Sequence, residues 1–72
     1  MTMTAGEKIQ TLMARQKFSK GDMAEQTGQS RQNLSNKLRR DDFSESEISR
    51  MAAVLGYTAE VIFRDAGGNI VL

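Results

Sequence analysis

The chain contains no cysteine, no histidine and no proline. Without cysteine it can hold neither a disulfide framework nor a thiolate metal site. Without histidine it lacks the commonest general base and the commonest metal ligand. An enzyme built from this sequence would have to work with carboxylates, hydroxyls, Lys20 or the single Tyr57. It shows no paired carboxylates, no nucleophile with a base, and no glycine loop suited to cradling phosphate. The expectation is a non-catalytic protein with no cofactor, no metal and no evident small-molecule ligand. No apolar run approaches the length that crosses a bilayer. The opening stretch MTMTAGEKIQ lacks the basic start and apolar block of a secretory signal. We therefore expect a cytoplasmic protein that does not engage a membrane.

What is present fits one small domain. Seventy-two residues bury about 60% of the unfolded surface, so stability is expected to be modest. The formal net charge of +1 hides an uneven distribution. Residues 8–40 carry eight cations against Asp22 and Glu25, a balance of +6; residues 41–72 carry Arg50 and Arg64 against six acids, a balance of −4. A basic half joined to an acidic half suits a polyanion partner on one face, although scattered solvated charge would give the same totals.

Capping residues and apolar spacing divide the chain into four helices. Thr4 and Glu7 have capping-box spacing, and Ile9, Leu12 and Met13 form the stripe of a first helix over about 4–17. Gly6 in its first turn reads as a small defect. Phe18 plugs the core at the turn. Ser19, with Asp22 as its box partner, opens a short helix over about 19–27, with Met23 and Ala24 inward and Gly28 at its end. Ser30 caps a third helix over about 30–39 whose buried side is only Leu34 and Leu38. Ser44 and Glu47 box the fourth, about 44–55, with Ile48, Met51, Ala52 and Leu55 inward and Gly56 as the stop. The period then changes: TAEVIFR alternates, DAGG is a turn signal and NIVL is β-rich, which predicts a hairpin pairing about 60–64 with 69–72.

The third helix is the unusual segment. Within Gly28–Arg40 lie four side-chain amides (Gln29, Gln32, Asn33, Asn36), four cations (Arg31, Lys37, Arg39, Arg40) and no acid. With Leu34 and Leu38 docked on the core, Arg31, Gln32, Ser35 and Asn36 remain on the other side, with Lys20 near the same face. Such a helix suits a DNA major groove, where amides match adenine and guanidinium matches guanine, while rim cations bind phosphate and set register. A carboxylate on that face would repel the DNA backbone. The competing reading of Arg39-Arg40 beside Asp41-Asp42 is a solvated, self-neutralising cluster.

The run FSKGDMAEQTGQSRQNLSNKL resembles the helix-turn-helix of the phage Cro and repressor (XRE-like) family. Ser19 stands at the hydroxyl position, Met23-Ala24 at Leu-Ala, Gly28 at the turn glycine, Ser30 at the cap and Leu34 at the buried apolar position. RQNLSNKLRRDDFS, followed by a helix and EVIF, looks like small members encoded by bacteria, phages and mobile elements. The resemblance covers about residues 9–57. It implies a mostly α, four-helix lambda-repressor-like DNA-binding domain, here with a short C-terminal β-hairpin. It implies base reading by Arg31, Gln32 and Asn36, with Asn33 and Ser35 as further contacts, and phosphate binding by Lys20, Ser30, Lys37, Arg39 and Arg40. Three residues depart from the pattern. Lys20 replaces a usual Gln and adds charge. Gln29 replaces an apolar residue and implies a less firmly packed turn. Lys37 replaces an apolar residue, with Leu38 taking over one position later, which implies a slightly rotated helix.

The resemblance also implies a homodimer on a near-palindromic double-stranded operator, with reading helices about 34 Å apart. The apolar edge of the hairpin (Val61, Phe63, Ile70, Val71, Leu72) is the expected joint; alternatively the hairpin folds back over its own helices. The expected function is a transcription regulator, a repressor by preference. A protein-interaction module, antitoxin-like in using its strand edge, is the alternative.

Overall fold

A computed structural model describes residues 3–72. Met1 and Thr2, the start of the stretch inspected for a leader, lie outside the described residues. Four helices follow in order: α1 (Ala5–Arg15), α2 (Lys20–Gln26), α3 (Arg31–Arg40) and α4 (Glu45–Val54). The protein is mostly helical, and the described residues contain no strand. None of the helices is long and apolar enough to cross a membrane.

Each helix begins at the hydroxyl residue expected from the sequence. The side chains of Thr4, Ser19, Ser30 and Ser44 accept from the backbone N–H three residues on. The full reciprocal box forms at α1 and α4, where Glu7 and Glu47 accept from the N-cap N–H. At α2 only half of the expected box forms: Ser19 accepts from Asp22 N–H with no return bond. An Asp side chain is one methylene shorter than the Glu or Gln the box requires.

All four helices stop at a residue in the left-handed region: Lys17 (φ 55°), Gly28 (68°), Asp41 (53°) and Gly56 (86°). The next N–H then turns back onto the helix, from Phe18 to Met13, Gln29 to Ala24, Asp42 to Lys37 and Tyr57 to Ala52. These bonds satisfy carbonyls that would otherwise lack partners. Glycine does this without steric penalty; Lys17 and Asp41 do it at a cost.

The core is a single apolar cluster of Ile9, Met13, Met23, Ala24, Leu34, Leu38, Met51, Ala52 and Leu55, with Leu12, Phe18, Phe43 and Ile48 packed around it. Helix α1 packs on α4, and α2 packs on both α3 and α4. Gly6 proves to be an element of this packing. It is buried, and its N–H donates to Asp41 Oδ1 at 2.9 Å. A Cβ at Gly6 would stand 2.4 Å from that oxygen and 3.3 Å from the Phe43 ring. The expectation of a defect fails because the α3–α4 turn closes over this backbone, and any side chain here would have to displace the Asp41 carboxylate.

The expected hairpin forms no strand among the described residues. It is reduced to one antiparallel bridge, Arg64 with Ile70, flanked by backbone bonds from Phe63 N–H to Leu72 O and from Val71 N–H to Phe63 O. Asp65 organises the turn, its Oδ1 accepting from Gly67 and Asn69 N–H. The segment does not fold back over the helices: Val61, Phe63, Ile70, Val71 and Leu72 are 56 to 80% exposed. Two short paired segments with neither a third strand nor a helix beneath them are marginal in water. The projecting segment lengthens the molecule to 41 × 24 × 22 Å. Its radius of gyration is 13.3 Å, against about 11 Å for a compact chain of this size.

Candidate nucleic-acid interface

Helix α3 is anchored by two side chains. Leu34 is fully buried and Leu38 is 7% exposed. They lie one turn apart and fix which way the helix faces. Helical spacing turns Gln32, Asn36, Arg39 and Arg40 away from them, with Arg31 and Ser35 flanking on one side and Asn33 and Lys37 on the other. Arg31, Gln32, Asn33, Arg39 and Arg40 are exposed, while Ser35, Asn36 and Lys37 are half-buried. The projecting 61–72 segment leaves Arg31 and Gln32 uncovered. Lys20 is the exposed first residue of α2, and Ser30 is occupied as the cap of α3.

The amides are not equivalent. Gln32 Nε2 donates to Asn36 Oδ1 at 3.3 Å, along the outward stripe. Asn33 Nδ2 donates to Gln29 Oε1 at 3.0 Å, and Gln29 Nε2 donates to Thr27 Oγ1 at 2.7 Å. The Thr27 hydroxyl then donates to Met23 O at 2.7 Å. The α2–α3 turn is therefore fastened at Gln29 by hydrogen bonds.

Lys37 stands apart from the other cations. Its ammonium pairs with the Glu47 carboxylate of α4, the one ion pair among the described residues. That ammonium, together with the Ser44 N–H, holds the Glu47 carboxyl below its ordinary pKa. Lys37 thus faces α4, and the structure does not gather it with Arg39 and Arg40. Neither arginine pairs with Asp41 or Asp42 among the described residues; Asp41 instead caps α1. Thr27, Gln29 and Glu47 were missed as contributors. The i, i+4 spacing of Gln29 with Asn33 was visible in the sequence, whereas the approach of α4 to Lys37 was not.

No family model, curated protein or solved structure matches this chain.

Proposed function

We propose that the protein is a sequence-specific double-stranded-DNA-binding regulator, most simply a cytoplasmic repressor without enzymatic activity. In this reading α2 and α3 form a helix-turn-helix that places α3 in the major groove. Arg31, Gln32 and Asn36 meet base edges, with Ser35 beside them. Lys20, Ser30, Arg39 and Arg40 hold phosphates. The observation that carries the reading is the outward face of α3: uncovered guanidinium and amide side chains, no acid from Gln29 to Arg40, and two leucines fixing its orientation. Such a face presents paired donors and acceptors where base edges need them.

Two copies would pair through the C-terminal segment, the finer β-hairpin pairing being completed by the second copy. Six apolar side chains from Val61 to Leu72 are 44 to 80% exposed. At about 150–200 Å² for a fully exposed side chain of this kind they present roughly 600 Å², close to the ~800 Å² per partner of a standard interface. They run on into an apolar groove lined by Ile9, Leu12, Phe43, Ile48, Tyr57 and Ala59. The same exposed surface favours the second reading, an antitoxin-like module whose strand edge holds another protein.

Selection of bound sites from random duplexes tests the proposal. A recovered near-palindrome with half-sites one helical turn apart is the expected result. Recovery of no preferred site, with affinity insensitive to salt, would remove the DNA-binding reading in favour of the protein-interaction one.

A further inference from the structure

We propose that the four amides of Gln29–Asn36 are divided in their work. Gln29 and Asn33 hold α3 against α2, while Gln32 and Asn36 act as one coupled reader of a single A·T pair. This rests on the DNA-binding reading above and adds to it the base recognised and the residues that recognise it.

The division follows from counting donors and acceptors. An amide has two N–H donors and one carbonyl acceptor. Gln32 Nε2 gives one hydrogen to Asn36 Oδ1, which leaves Gln32 Oε1 free to accept and Asn36 Nδ2 free to donate. Exchanging oxygen and nitrogen in both amides leaves the same pairing, a free carbonyl on one head beside a free NH₂ on the other. In the major groove adenine offers N7 as acceptor and N6–H₂ as donor, and this edge uses both halves of the pair. Guanine offers two acceptors and no donor at this edge, so the free carbonyl would be left without a partner. Cytosine offers a donor without an adjacent acceptor, and thymine an acceptor beside a methyl group. The i, i+4 spacing sets both amide heads on one stripe, so they converge on one base pair and do not span two.

Asn33 lies on the other flank, and one of its two donors is committed to Gln29. The bonds Asn33 to Gln29, Gln29 to Thr27 and Thr27 to the Met23 carbonyl form a directional chain from the first turn of α3 into α2. Gln29 and Thr27 are half-buried. Asn33 is thus a positioning residue that sets how α3 leans on α2, and through that angle every contact of the outward face.

The test measures binding of the full chain to the selected duplex and to its single-base-pair variants. Gln32→Ala and Asn36→Ala should each erase preference at the same A·T pair, by roughly 5- to 100-fold. The double variant should lose little more than the worse single one. Placing 7-deazaadenine at that position, which removes N7, should weaken the wild type and leave Q32A unchanged. Asn33→Ala should weaken all duplexes by one common factor and keep the preference profile; Gln29→Ala, cutting the same chain one link further in, should reproduce that pattern. Preferences lost at two different base pairs, a shared G·C pair, or an N33A or Q29A profile altered at one position would each overturn the division while leaving DNA binding intact. Failure of the wild type to bind any duplex would overturn both readings.

Discussion

Gly6→Ala, made once in the native chain and once beside Asp41→Gly, isolates the contact that closes the helical body. In the native chain the new Cβ would sit 2.4 Å from Asp41 Oδ1. The carboxylate must retreat and release the 2.9 Å bond it accepts from Gly6 N–H. A hydrogen bond to a charged group contributes about 1.5–3 kcal/mol, and an acid at a helix N-terminus a further 0.3–1 kcal/mol or so. Against this, alanine regains at most about 1 kcal/mol of helix propensity, less in a first turn. The net cost should be about 1–4 kcal/mol, at about 4–8 °C in Tm per kcal/mol for a domain of this size. Asp41→Gly removes the carboxylate and keeps the left-handed turn unstrained, since Asp41 has φ 53°. In that background the nearest remaining neighbour among those closest to the new methyl is the Phe43 ring, at 3.3 Å, which must yield by a few tenths of an ångström, and Gly6→Ala should cost clearly less than in the native chain. Urea unfolding followed by far-ultraviolet circular dichroism gives the four stabilities. Equal costs in the two backgrounds, within about 0.5 kcal/mol, would mean that the residues do not interact, and the account of Gly6 would be refuted.

Other expectations are simpler to check. Lys17→Gly should raise stability by about 0.5–1 kcal/mol, because an exposed lysine now holds a left-handed position suited to glycine; an unchanged or lower urea midpoint would contradict this. The Glu47 pKa is lowered in the folded state, so the stability it contributes is present above the ordinary carboxylate pKa and is lost as pH falls through the lowered value. Thermal melts from about pH 6 down to about pH 3 should accordingly fall less steeply in Glu47→Gln than in the native chain. Light scattering should give a dimer that Phe63→Ser converts to a monomer, and a native monomer at high concentration would dispose of the C-terminal joint. In binding titrations Lys20→Ala should weaken all duplexes alike and reduce the log–log salt slope by about one unit, whereas Arg31→Ala should flatten sequence preference; identical effects would abolish the distinction between phosphate and base contacts.

What could be read from the sequence was what local chemistry determines. Thr4, Ser19, Ser30 and Ser44 mark helix starts because a cap acts over three residues, and each was found in place. Gly28 and Gly56 mark stops because glycine suits a positive φ. Lys17 and Asp41 do the same work without any such mark, and Gly6 was misjudged because its neighbour, Asp41, is distant in sequence. The alternation in residues 60–64 carries a β signal, yet a strand needs partners that neither the flanking sequence nor the helices supply. At the candidate interface, the outward placement of Gln32 and Asn36, with Arg31 on the flank, follows from the spacing of Leu34 and Leu38. The commitments of Asn33 to Gln29 and of Lys37 to Glu47 could not be foreseen, since they depend on which neighbour a side chain meets once α2 and α4 are packed.

Helix α1 is fastened at both ends by chain made much later. Gly6 takes its acceptor from Asp41, 35 residues on, and the Gln16 amide donates to the Leu55 carbonyl, 39 residues on. During synthesis α1 is the first of the four helices to emerge, and a nascent chain that stops before residue 41 holds it without either tie, by weak local propensity and whatever apolar contact α2 and α3 provide. Through these two distant ties the ends of α1 depend on chain that closes over them only after the α3–α4 turn and the end of α4 are in place.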